Sequence, residues 1–481
     1  MVVIKIKVRT KHLIILLFLL LFVISMLSVI SHISKLHLKG SGTKTDPYLI
    51  ESPEQFTRLG DSKFAYYRIE KDLDFSKVKF RPIRYFNGIL DGNGKSLLNI
   101  NIDGTKQFKT AIFLELGKDS KIINLKIENI DILSGLEGAI LVHTNNGVIE
   151  NVTISGNAII NPPVGTYSSL SSDIMDIAVP NYNEEGKDIS FSRSSEAKYF
   201  NINLIGFAGI SFINRGEILN SEFKGKILYS QRAKNSGFIL IASGINLYNS
   251  REGIIYNSNF EGELNFEVER SLIGGISVYN RGKIQNSGFK GKISVEASDS
   301  KNSIYGNYIG GIVYHNGGVT ENCKFTGELL GDVVSMVVYN ENGALIDTMD
   351  AHNLGVTSRI FSSFSIQNYG KILSSKLEGI ISANRFGGFV FNNYSSGERV
   401  FNCQVDASVT ANEIGQIAYF TSEYSLVKLS KIFIRCSNRV VKSFPFIYFG
   451  TKSFPDLDKH ETGNIMSYNL IETDIKMLKN E

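Results

Sequence analysis

Gly275-Ile-Ser-Val-Tyr-Asn280-Arg-Gly-Lys-Ile-Gln-Asn286-Ser-Gly-Phe-Lys-Gly291 is the stretch that decides the fold. A small residue is followed five positions on by Asn, and six positions after that by a second Asn that opens an Asn-Ser-x-Phe phrase. The same frame recurs at Gly209–Asn214 with Asn220, and at Gly311–Asn316 with Asn322. Asn145, Asn249, Asn340, Asn368 and Asn393 fit it more loosely. From Asn214 to Asn393 the spacings run from 24 to 36 residues, the length of one solenoid coil. Within the phrase, apolar and polar residues alternate at period two, the mark of a strand with one buried face. Helical runs between the strands are missing, which disfavours a βαβ winding. The reading is an all-β fold, a parallel β-helix.

Equivalent positions in such a solenoid stack about 4.8 Å apart. Asn220, Asn257, Asn286 and Asn322 are therefore expected to form an internal amide ladder, since buried amides are stable only when paired. Phe223, Phe260, Phe289 and Phe325 are expected to stack beside them, with Ile154, Leu377 and Val405 continuing the row. Cys323 and Cys403 stand where Ser221, Ser258, Ser287 and Ser375 stand in other copies. They read as small buried residues, several coils apart and out of disulfide reach. Cys436 lies beyond the clear repeats. The glycines bracketing each phrase suit turns or close backbone approach.

The phrases Gly274-Gly275-Ile276, Gly310-Gly311-Ile312 and Gly387-Gly388-Phe389 resemble GLUG-type repeats of adhesin-like surface proteins with a pectin-lyase-like fold. Gly40–Ile50 resembles the entry to such ectodomains, and Phe86–Lys95 their first coil. The resemblance implies right-handed winding and a surface location; periodicity alone carries neither.

The organisation follows. Residues 1–12 form a basic tail and 13–33 a transmembrane signal anchor, with a cleaved signal peptide as the alternative. Residues 34–60 form a linker and N-terminal cap, 61–430 the β-helix with a loop insertion at 162–200, and 431–481 a C-terminal cap or tail. The apolar run at 13–30 would span about 27 Å as a helix, and the basic residues before it place the bulk of the chain outside the cytoplasm. Ser52-Pro53-Glu54-Gln55 has the form of a capping box, predicting a short helix over 53–59 that closes the first coil.

The net charge is +4, but seven basic residues and no acid lie in residues 1–45; without them the remainder is −3. Nucleic-acid binding thus loses its electrostatic motive. No cofactor fingerprint, metal spacing or redox pair is present. For an enzyme the candidate acids are Asp72, Asp74 and Asp91, because glycoside hydrolysis needs two carboxylates within about 5–9.5 Å. Asp72 and Asp74 share a strand face, and Asp91-Gly-Asn-Gly94 reads as a turn. His143 and His315 occupy non-equivalent repeat positions and read as surface or turn residues. The sequons Asn151-Val-Thr153 and Asn393-Tyr-Ser395 fall on ladder positions, where burial would oppose modification. The expected function is a membrane-anchored, non-catalytic surface protein acting in adhesion, envelope architecture or glycan binding, with the membrane and either a polysaccharide or another cell-surface component as partners. The alternative is a polysaccharide lyase or glycoside hydrolase on the same fold.

Overall fold

The computed structural model describes residues 17–26, 37–59, 64–162, 203–229, 238–296, 306–394 and 397–415, with separate strands at 178–182, 189–193, 418–421, 425–428, 431–436, 442–444 and 474–479. Most of it is strand, and apart from one antiparallel pair the strands pair in parallel with their counterparts one repeat along. The coil containing Asn220 is representative. A three-residue strand, Glu217–Leu219, pairs with Ile254–Tyr256. After the Asn220 corner comes Glu222–Tyr229, paired with Asn259–Glu267. The third side is bent into two segments, Phe238–Ser243 and Asn246–Asn249, paired with Ser271–Gly274 and Ser277–Asn280. Pairing of this kind repeats from coil to coil through successive crossovers, so the molecule is a parallel β-solenoid with three walls. It continues past residue 430, where Lys431–Cys436 pairs with Gln404–Thr410 and Asp474–Lys479 pairs onto it.

The interior is a stack of like residues. Phe223, Phe260, Phe289 and Phe325 are buried, with ring centroids 5.2, 5.0 and 5.2 Å apart, matching the strand spacing. Ile154 precedes them in register, and Leu377 and Val405 follow beyond Ala351. Beside them runs the Ser row: the Ser221, Ser258 and Ser287 hydroxyls accept from the backbone N–H of Val152, Ser221 and Ser258. Cys323 and Cys403 sit in this row as free, buried thiols, and burial pushes both up to about 12. Neither is a thiolate nucleophile at neutral pH.

The two asparagine rows divide differently from expectation. The frame asparagines are the internal ladder: Asn145, Asn214, Asn249, Asn280, Asn316, Asn340 and Asn368 each donate from Nδ2 to Oδ1 of the next in line, ending at Asn393, over 2.8–3.0 Å. All eight are buried. Asn220, Asn257 and Asn322 are exposed instead, and Asn286 half-buried. This second row turns the corner in left-handed backbone, with φ of 47–53° at those four. Asn tolerates that conformation better than other non-glycine residues. Its exposed amides pair on the outside, Asn257 donating to Asn220 at 2.8 Å and Asn322 to Asn286.

A second apolar cluster lies outside the main core, in the elbow of the bent third wall. Strand segments on both arms are buried on both faces. At the bend the row Ala139, Ala208, Ser243, Gly274, Gly310 holds only small residues. A Cβ on Gly274 would stand 1.9 Å from the Ser277 carbonyl oxygen, and one on Gly275 would stand 1.8 Å from that of Gly311. The Gly-Gly-Ile signature is thus the elbow itself, its first glycine against the returning arm and its second against the neighbouring coil. Across the elbow, Ile241 and Leu247, Leu272 and Val278, and Tyr308 and Tyr314 belong to this cluster.

At the N-terminal end Ser52 caps the helix Pro53–Phe56, with both halves of the capping box made. Phe56 is buried and packs against Phe75, Phe80 and Phe113 over the first coil; the helix ends at Phe56 with Thr57 as its C-cap, short of the expected 53–59. Residues 17–26 are helical, with apolar side chains exposed from Leu17 to Met26. Among the described residues no helix is long and apolar enough to cross a membrane. The rest of the 13–33 span lies outside the described residues. Within 162–200, the strands Ala178–Tyr182 and Ile189–Arg193 pair antiparallel.

Candidate functional site

Asp72 and Asp74 flank buried Leu73 and are both exposed, so they do share a face. Each is occupied by the scaffold. Asp72 Oδ1 accepts from the Ser96 backbone N–H at 2.8 Å. Asp74 Oδ1 accepts from Asn99 Nδ2 and the Ser76 N–H, both at 2.9 Å, and these bonds hold its carboxyl below the ordinary value. Asn99 in turn accepts from Asn129. Asp91 accepts from the Asn93 N–H, which makes the expected turn an Asx turn, and from Asn124 Nδ2 at 3.1 Å; Asn151 then donates to Asn124. Asp74 and Asp91 therefore head outer polar rows, each an acceptor for the first amide in line.

The histidines are not at the surface. His143 and Glu137 are both 0% exposed and face each other across the elbow, Nε2 to Oε2 at 3.0 Å. His143 Nδ1 contacts Thr144 Oγ1 at 3.0 Å, and its ring stacks on Phe212 at 4.8 Å. Glu137 registers with Gly206 and then Ile241, so the pair replaces the apolar partners of later coils. Burial lowers the His143 pKa, opposed by the Glu137 hydrogen bond, with Lys109 and Glu115 the other charges nearby. The folded state thus keeps His143 neutral below 6.5, where the unfolded chain binds a proton. Stability is expected to fall as pH drops through that range. The double variant Glu137→Ile/His143→Leu, copying Ile241 and Leu247, should lose this acid sensitivity and match the parent at pH 8. Glu137→Ile alone should cost about 1–3 kcal/mol by stranding the imidazole. Urea midpoints at pH 5 and 8 check both, and an unchanged acid response in the double variant would refute the assignment.

His315 is buried too, sandwiched at 4.1 Å from Tyr279 and 4.7 Å from Tyr339, with Glu341 Oε2 3.7 Å from its Nε2. Tyr248 precedes this strip, and Tyr369 and Tyr394 extend it toward the C-terminus. Arg281 lies 5.9 Å over the Tyr279 ring. Because the rings cover one another, the strip meets solvent chiefly at its end, where Tyr394 is 46% exposed. Sequence reading missed this wall; the signal was the Tyr or His immediately before the frame Asn in four consecutive coils, at Tyr248, Tyr279, His315 and Tyr339.

The outer face of the second wall carries alternating charge, with Glu261 between Lys224 at 3.8 Å and Lys290 at 2.7 Å, and Lys226 paired with Glu263 at 3.0 Å. Three long connections, residues 161–202, 230–237 and 297–306, join a second-wall strand to the next third-wall strand, whereas Lys324–Asn340 makes the same passage as one unbroken strand. At the base of the second insertion Tyr229 and Phe238 pack at 5.8 Å. Among the described residues no three or more His, Cys, Asp or Glu side chains come together as a metal-holding group.

The chain is 29% identical over 133 residues to halomucin of Haloquadratum walsbyi. That similarity takes in 24% of this chain and only 2% of the length of halomucin. No protein-family model matches the chain, and no solved structure does. The likeness to GLUG repeats therefore stays one of motif, while the long parallel sheets are those of a β-solenoid, the coarser part of that expectation.

Proposed function

We propose that this chain is a non-catalytic cell-surface β-helix, right-handed and held to the membrane by its N-terminal apolar helix, that presents its insertion seam to polysaccharide or to another envelope component. The observation that carries this reading is the seam: three long connections join the second wall to the third, on a scaffold whose strands are spent on internal ladders and ion pairs. Binding loops on a rigid support follow the same logic elsewhere. Similarity to a protein named as a mucin agrees with a surface location. The helical, apolar stretch at 17–26 suits an anchor, and parallel crossovers favour the right-handed winding. Asp72, Asp74 and Asp91 serve as hydrogen-bond acceptors for the scaffold, which favours binding over hydrolysis.

The test is to incubate the detergent-solubilised full-length protein with a panel of polysaccharides, scoring retention and new reducing or unsaturated ends. Retention of at least one glycan without new ends is expected. Cleavage of any of them would replace this reading with a lyase or glycosidase, and absence of retention across the panel would leave envelope architecture.

A further inference from the structure

We infer that Asn151 is an N-glycosylation site, an assignment that rests on the surface location proposed above. The chain carries two Asn-x-Ser/Thr sequons that the fold treats in opposite ways. Asn393 is 1% exposed and its Oδ1 accepts from Asn368 at the end of the inner ladder, so a sugar on its amide has no room. Asn151 is exposed at an outer corner, with φ of 54°, and Thr153 is exposed two residues on while Val152 between them is fully buried. The acceptor amide and the hydroxyl of the sequon thus leave the same side of the strand.

The corner also survives the modification. Asn151 Nδ2 makes one outer-row bond, to Asn124 Oδ1 at 3.2 Å, using one of its two hydrogens. Transfer from a lipid-linked oligosaccharide breaks the bond between the anomeric carbon and phosphate oxygen and forms one from that carbon to Nδ2. One amide proton is lost and the lipid (pyro)phosphate departs. The remaining N–H still serves Asn124. The corner residues on either side, Asn124 and Asn220, are exposed and short, leaving the sugar an open approach.

The experiment uses full-length protein from its native cells after labelling intact cells with a membrane-impermeant amine reagent, followed by mass spectrometry of peptides spanning Asn151 and Asn393. Labelled protein with a glycan mass on Asn151 and a bare Asn393 is expected. Thr153→Val, which keeps Asn151 in its corner, should remove the adduct. Labelled protein with a bare Asn151 would overturn the site and leave the surface reading standing. Unlabelled protein with a bare Asn151 would overturn both. An adduct on Asn393, or one that persists in Thr153→Val, would also overturn the assignment.

Discussion

Gly262→Ala should destabilise the solenoid by roughly 4 kcal/mol or more, beyond the usual range for one methyl group. Gly262 registers with Gly225 on one side and Gly291 on the other. Its φ is 153°, and a Cβ there would stand 1.8 Å from the Gly225 carbonyl oxygen. That oxygen belongs to backbone fixed in the ladder by its neighbours Lys224 and Lys226, so no flexible side chain is available to give way. Gly94 provides the control. It too has positive φ, 69°, yet a Cβ would meet nothing within 4 Å. Gly94→Ala should therefore cost only the backbone strain, about 1–2 kcal/mol. Urea denaturation of both variants checks this; a Gly262→Ala midpoint as mild as that of Gly94→Ala would refute the glycine stack.

Asn280→Ala is the second large effect, at about 3 kcal/mol or more. Asn280 accepts from Asn249 at 2.9 Å and donates to Asn316 at 3.0 Å and to the Val319 carbonyl at 3.1 Å. Deleting it strands polar groups on both neighbouring coils in a fully buried site, each worth about 1–3 kcal/mol. Asn286→Gly, six residues on in the outer row, should cost less than about 1 kcal/mol. Glycine supplies the left-handed corner, and the lost amide bond to Asn322 faces solvent. Equal losses in the two variants would mean that inner and outer rows do the same work. The prediction is read from denaturant midpoints measured side by side.

That contrast also explains what the repeat could and could not announce. Stacked coils place like residues on like positions, so the Phe row, the substitution of Cys323 and Cys403 into the Ser row, and the capping box at Ser52 were all legible from spacing. The inside-outside assignment of the asparagines was not. Counting by twos from buried Ile218 puts Asn220 inside, but its left-handed φ consumes a residue and shifts the phase, so that Ser221 and Phe223 point inward instead. A corner is a conformational event, invisible to an alternation count.

The elbow escaped for a related reason. Runs such as Ser271–Gly274 and Ser277–Asn280 are buried on both faces, which removes the alternation that marks a strand's orientation. Without it, His143 and Glu137 look like isolated polar residues when they are in fact a facing pair. The acids at 74 and 91 were recognisable as turn and strand residues, but their role depends on amides 25 and 33 positions later, Asn99 and Asn124. Such a link exists only once coil length is known.

The seam between the second and third walls has one more implication. Because coils repeat every ~4.8 Å, segments leaving the same edge of consecutive turns are rooted almost side by side. The connections at 161–202 and 230–237 belong to adjacent turns, so the described strands that root them lie one coil spacing apart. A partner that engaged both would meet anchor points set by the pitch of the coils. Lengthening one segment alters the recognition surface and leaves every interior register untouched, so a lineage can vary what this protein shows to its surroundings at little risk to how it stands.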